Sequence, residues 1–321
     1  MAQLSTFVSP AKFRARVRHH GFGRLVYKMS ERLGVPNGAS FNLVRVSKAV
    51  VSPNAMLSRR MASQASTPWS DALPRDLAYR IFKPGELPGA KETAQSCARH
   101  AERIKPQIEK LIGQTFAVDL LDPGGPVSLD SNYIASDLDL VPGLLDFALS
   151  GPNIEAATGY LGEIPVLGGI TLYASLPNAS AEGSQLYHCD QVDKRMFKVL
   201  VAVNDIADEQ GPFTFLEGIA TAKVRRTLGA LTKRYKDEDL FKVVDPKQQI
   251  PIKGPAGTAL FIDTHHCLHF GSRGNTKTRL LLELLYQSRF AQESRWQLAN
   301  QMYDRSRYMT NKLHRQVLGL E

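Results

Sequence analysis

"GTALFIDTHHCLHFGSRGNTKTRLLLELLYQ", residues 257–287, sets two apolar runs either side of a polar turn. The first run, 257–262, leads into three histidines, His265, His266 and His269, and the second opens on Arg279. Short apolar runs bounded by Gly, Asn and Ser read as buried strands. Four more runs of this kind lie upstream: "GGITLYAS" (168–175), "MFKVLVAVND" (196–205), "PFTFLE" (212–217) and "QQIPIK" (248–253). Helical patterns precede them. "KETAQSCARHAERIKPQIEKLIG" (91–113) carries apolar residues on one side and is expected to break at Pro106. "VPGLLDFALS" (141–150) and "GPNIEAATGYLG" (151–162) follow, the latter with Pro152 in its first turn and Gly162 at its stop. Helices first and antiparallel strands after them predict an α+β fold with a mainly β core, a sandwich or barrel backed by helices.

Working outward, "LYHCDQVD" (186–193) places His188 and Asp190 two residues apart at what reads as a strand start. Alternate residues of a strand point to one face, so both side chains can reach one point. That pattern suits a metal ion and equally an ordinary polar strand end. A third ligand would come from the histidine-bearing turn. Two histidines and a carboxylate on one side of an octahedral ion leave three positions open, the set that suits non-haem Fe(II) with oxygen chemistry. An arginine on the next strand, Arg279, can pair in a forked manner with a carboxylate. Along 196–203, Phe197, Val199, Val201 and Val203 share one face, and Met196, Lys198, Leu200 and Ala202 share the other. A lysine turned into such a core needs a counter-charge; a lysine near the strand start can instead snorkel to solvent.

Taken together, HxD at 188–190, His269 in a His-x-Gly setting, Arg279 ten residues later, and "KVLVAVNDIADEQGPFTFLEG" between them resemble the Fe(II)/2-oxoglutarate oxygenases, specifically the phytanoyl-CoA dioxygenase-like branch. The likeness covers roughly residues 140–288. It implies a double-stranded β-helix, a jelly roll of the cupin-like kind, with the metal between two sheets. It makes His188, Asp190 and His269 the Fe(II) ligands and Arg279 the partner of the distal 2-oxoglutarate carboxylate, with O2 as co-reactant. Where the branch often has a lysine on the strand before HxD, this chain has Tyr173 and Ser175. Tyr173 and Lys198 therefore join Arg279 as expected contacts of the cosubstrate. The chain also departs at "LEGIATA", where the branch often closes the loop with a histidine. With Asp190 present no ligand position is vacant for chloride, which argues against halogenation. The implied activity is hydroxylation of a small-molecule or lipid-like substrate. A cupin-like metalloenzyme without 2-oxoglutarate and a non-catalytic metal-binding module are the alternatives.

Composition bounds the rest. The 321 residues are 43% hydrophobic and 22% charged, ordinary for a globular chain. No apolar run approaches the roughly 20 residues that span a bilayer. Three scattered cysteines, Cys97, Cys189 and Cys267, suggest a reducing, cytoplasmic setting. The net charge of +9 is uneven: residues 1–60 hold eleven Lys and Arg against the single acid Glu31. Residues 1–70 are read as a basic, loosely held extension, suited to anionic membrane or nucleic-acid contact, to an organellar presequence, or to a solvated tail or packing arm. Residues 71–321 form the predicted domain, with a charged, mostly helical insert at 221–243. The basic excess lies outside the domain, and Arg273 falls in a turn four residues after His269. Both observations speak against nucleic acid as a partner.

Overall fold

The computed structural model describes residues 39, 42–46, 53–62, 66–119, 141–175, 177, 183–229, 234–291 and 306–320. The helical candidate at 13–34 and the apolar tail residues Leu298, Met302 and Tyr303 lie outside them. Eight strands form two antiparallel sheets. The larger has the order β1–β6–β3–β8–β2, from Tyr79–Phe82 (β1), Val166–Ser175 (β2), Phe197–Ala202 (β3), Ala259–Ile262 (β6) and Arg279–Gln287 (β8). The smaller has the order β5–β4–β7, from Thr214–Phe215 (β4), Ile250–Pro251 (β5) and His269–Phe270 (β7). With helices on the outer faces this is the predicted α+β arrangement.

The central strands read as unbroken apolar runs because both of their faces are buried. Phe197, Val199 and Val201 of β3, Phe261 of β6 and Leu282, Leu284 and Tyr286 of β8 pack in one cluster against helices. Those helices are Ala90–Asp119 (α2), Leu144–Ala148 (α3) and Gly151–Leu161 (α4), contributing Ala94, Cys97, Phe147, Ile154 and Tyr160. The opposite faces of the same strands, through Leu200, Ala202, Leu260, Ile262 and Leu281, meet Phe213, Phe215 and Ile252 on the side of the small sheet. Behind the small sheet lies the insert, Gly218–Leu228 (α5) and Asp237–Leu240 (α6), whose Ala220, Val224 and Leu240 pack on Tyr187, Cys189, Leu268 and Phe270.

Three expectations need correction. Helix α2 runs through Pro106 without interruption. Proline removes one backbone donor and costs about 3 kcal/mol in a helix interior, which the buried stripe Ala90, Ala94, Cys97 and Ala101 can offset. The extension is not loose throughout. Residues 42–46 and Pro53–Ala62 (α1) are helical, and Val44 and Arg59 are fully buried. The Arg59 guanidinium donates to the carbonyls of Ile164 (2.8 Å), Pro165 (3.3 Å) and Gln316 (2.6 Å). Arg45 faces the buried carboxylates of Glu163 (3.5 Å) and Asp193 (3.9 Å). Strand β1, "YRIF", went unread because four residues hold too little periodicity. Near the chain end, Lys312–Val317 (α7) is helical.

Candidate metal centre

His188 and His269 are brought together by backbone pairing. His188 N donates to His269 O (2.9 Å) and His269 N donates to His188 O (3.0 Å), extending the small sheet by one bridge. The two rings stand 4.4 Å apart between centroids. Asp190 follows two residues after His188, its N–H held by Thr264 O at 3.0 Å. One donor atom from each of His188, Asp190 and His269 lies within 4.8 Å of the others. The distances from Asp190 Oδ1 to His188 Nε2 and from Asp190 Oδ2 to His269 Nε2 are both 4.0 Å. Among the described residues no other group of three or more such side chains can hold a metal ion.

The donor set fits a divalent ion in its protonation as well as its spacing. His188 Nδ1 sits 2.8 Å from Leu186 O, and His269 Nδ1 sits 3.0 Å from Cys267 O. A carbonyl only accepts, so each ring carries its proton on Nδ1 and turns a bare Nε2 toward Asp190. Burial pushes both imidazoles below the usual histidine range, His269 to about 3, so both are neutral at pH 7. Burial opposes ionisation of Asp190. The Lys198 ammonium, His269 and the Thr264 hydroxyl outweigh it and hold the carboxyl well below the ordinary carboxylate range. Oδ2 of Asp190 accepts from Thr264 Oγ1 (2.6 Å) and contacts Lys198 Nζ (2.9 Å).

Lys198 turns toward the site, one of the two outcomes its strand position left open. Its counter-charge is internal: Nζ lies 2.9 Å from Asp190 Oδ2 and 2.9 Å from Glu283 Oε2. Neither an external carboxylate nor an escape to solvent is needed, because two carboxylates already face it. Their charges outweigh the effect of burial and raise its pKa. Glu283 and Thr264 were not read as site residues. Glu283 was seen only to share the Arg279 face, and a single threonine in a turn carries no signal.

Arg279 lies 4% exposed at the start of β8. Its Nη1 donates to Gly211 O (3.0 Å) and its Nη2 to Ser175 Oγ (3.1 Å), while Nε has no partner. Among the described residues no carboxylate pairs with it. Gly211 has φ of 61°, and a Cβ there would stand 2.8 Å from Ser272 Oγ, so glycine is required where the carbonyl turns toward Arg279. Tyr173, half-buried on β2, lies across from Leu281 and interacts electrostatically with both Arg279 and Lys198.

The remaining histidines of the turn are structural. His265 Nδ1 meets Asp190 O at 2.9 Å, and His266 Nδ1 meets the buried Asp263 at 2.8 Å. Tyr160 also donates to Asp263 (2.7 Å), tying α4 to the turn that carries Thr264. Arg273 is occupied elsewhere, forking onto Asp237 at 2.9 and 2.7 Å and stacking 3.7 Å over Phe270.

No family model matches the chain, and no curated protein does. Among solved structures it is similar to a non-heme monooxygenase, ThoJ, at 14% identity and a TM-score of 0.46, over 70% of this chain and 79% of that one. It is also similar to EctD from S. alaskensis with 2-oxoglutarate and 5-hydroxyectoine, at 14% identity and 0.45, over 70% and 76%. A third is AviO1 from Streptomyces viridochromogenes Tue57, at 16% identity and 0.41, over 70% and 97%. Overlap this loose leaves the chemistry to the chain's own side chains. No helix among the described residues is long and apolar enough to cross a membrane.

Proposed function

We propose that the chain is an Fe(II)- and 2-oxoglutarate-dependent oxygenase of jelly-roll architecture, in the phytanoyl-CoA dioxygenase-like branch, hydroxylating a small molecule. One observation carries this reading. A triad of two neutral imidazoles and one ionised carboxylate shares the sheet interior with a buried arginine that pairs with no carboxylate among the described residues. An Fe(II) ion on that triad would supply the redox chemistry that couples O2 to 2-oxoglutarate, with succinate and CO2 released.

His188 and His269 would hold the ion through Nε2, and Asp190 through Oδ1, since Oδ2 is already engaged. Arg279 would take the distal carboxylate, with Tyr173 and Ser175 beside it on β2. A divalent ion leaves the interior group of Asp190, Lys198, Glu283 and Arg279 doubly positive, the complement of a dicarboxylate. Lys198 and Glu283 also make this wall polar, which favours a polar small molecule over a lipid-like one. Three unbridged cysteines accord with a reducing, cytoplasmic setting. Contact of the basic residues 1–60 with anionic membranes stays part of the proposal, to be read by vesicle co-sedimentation.

The test is anaerobic reconstitution with Fe(II) followed by O2 and labelled 2-oxoglutarate, with succinate as the readout. Succinate formation that His188→Ala or His269→Ala abolishes supports the reading. Tight Fe(II) binding with no succinate under any substrate screen overturns it in favour of another metalloprotein.

A further inference from the structure

The interior of the sheet pair holds one carboxylate more than a three-ligand centre needs. Glu283 projects from β8 on the face it shares with Arg279 and Leu281, and it lies opposite Leu200 of β3. Its side chain is 14% exposed, that of Asp190 24% and that of Lys198 between them 11%. The two 2.9 Å contacts on one ammonium put the bonded oxygens at most about 6 Å apart. Both carboxylates thus converge on one ammonium, and a divalent ion beside them would attract both.

Asp190 is asymmetric for the same reason. Thr264 and Lys198 both sit on Oδ2. The strand neighbours of Lys198, namely Leu200, Ile262 and Leu285, are apolar and buried, and Tyr173 is a further polar group within electrostatic reach.

We propose that Lys198 sets the ligand count of the metal centre: tied to Oδ2 of Asp190 and Oε2 of Glu283, it confines Asp190 to one donor atom and keeps Glu283 out of coordination. The inference rests on the metal-centre reading above. Lys198 is then a positioning residue, acting through two carboxylates rather than on substrate. Its consequence would be an ion held by three protein donor atoms only, with room left for a chelating 2-oxo acid and O2.

The experiment uses the full-length chain under anaerobic conditions, with Fe(II) affinity measured by competition against a coloured chelator. The second readout is the visible absorption that Fe(II) gains when a 2-oxo acid chelates it. In Lys198→Met, Glu283 is released toward the ion. Fe(II) should bind at least tenfold more tightly and the absorption on adding 2-oxoglutarate should vanish. Lys198→Arg keeps both pairings and should keep the absorption. In Lys198→Met/Glu283→Gln the released carboxylate is gone, so the absorption should return and the extra affinity should be lost. Should Lys198→Met not fold, Lys198→Gln carries the same expectation. Wild-type affinity with intact absorption in Lys198→Met, or a double variant no different from the single one, would overturn the proposal. A wild-type protein that binds Fe(II) but never gains the absorption overturns the cosubstrate reading instead. The ligand-count claim is then decided by the affinities of the single and double variants.

Discussion

Replacing Arg279 by methionine should separate stability from cosubstrate binding. The guanidinium is buried and bonded only to neutral acceptors, Gly211 O and Ser175 Oγ, and its Nε is unpaired. Burial pulls its pKa down to about 10, which still leaves it charged at pH 7. Desolvating such a cation costs several kcal/mol, and two charge-assisted hydrogen bonds return about 1.5–3 kcal/mol each. The two sides nearly cancel. Arg279→Met, of similar reach and apolar, should therefore leave the ligand-free fold within about 1 kcal/mol of wild type. With 2-oxoglutarate bound the balance changes, because a charge partner arrives. Losing that pair costs about 3–5 kcal/mol, or roughly 10²–10³-fold in affinity. At a ligand concentration about 100 times the wild-type Kd, wild type gains about 2.7 kcal/mol and a variant weakened 100-fold gains about 0.4 kcal/mol. Thermal melts of the metal-loaded protein with and without 2-oxoglutarate read both quantities at once. Arg279→Lys restores charge without the fork and should recover part of the ligand-induced shift. An undiminished shift in Arg279→Met refutes the carboxylate role, and a ligand-free protein destabilised by more than about 3 kcal/mol refutes the claim that the arginine is poorly compensated.

Three more outcomes are expected. Thr264→Val removes a hydrogen bond from Asp190 Oδ2, so Fe(II) affinity should fall about 10–100-fold in a chelator competition, while His266→Ala should keep its metal. Deleting residues 1–38 should leave the melting temperature near wild type. Deleting 1–62 removes Arg59 and leaves the carbonyls of Ile164, Pro165 and Gln316 without that donor, so the melt should drop by several degrees or the protein should not fold. The metal-free protein should lose stability as pH falls from 6.5 toward 4. Burial depresses His265 to about 4 and His269 to about 3 from 6.5, so the unfolded chain takes up protons in that window before the folded one does. Urea unfolding across pH 7 to 4 reads it, and a flat profile that His269→Phe does not alter would contradict the assignment.

How much of this was legible follows from what each residue type signals. The HxD pair and the set of residues that share a face with Lys198 on β3 were legible because strand alternation is a strict period; which of the two faces turns to the site was not. The choice of His269 over His265 and His266 came from its resemblance context, and the structure gives the turn histidines other partners, Asp190 O and Asp263. The companions of Lys198 were not legible. Glu283 lies 85 residues away, and a glutamate in a leucine-rich strand looks like a solvent-facing break in the pattern until the strand is seen to be buried on both faces. Arg59 was hidden for the opposite reason. Among eleven basic residues near the front of the chain, composition cannot mark Arg59 as fully buried.

The insert supports the candidate site from behind. A charged, mostly helical excursion between strands does not reveal in the sequence which side it packs on. In the structure α5 lies behind the small sheet, and its side chains reach both segments that carry ligands. Arg225 Nη2 donates to His265 O and lies 3.2 Å from Cys189 Sγ, the residue between His188 and Asp190. Thr221 Oγ1 accepts from the N–H of Leu268, next to His269, and donates to Leu216 O. Arg273, on the turn after β7, holds α6 through Asp237. Two histidines on separate strands keep a fixed separation only if both strands are held from outside the pocket, because the pocket side must stay open to ligands. The insert supplies that hold: Arg225 and Arg234 donate to the carbonyls of His265 and Gly183, Asp237 pairs with Arg273, and apolar residues pack on the outer face of the small sheet.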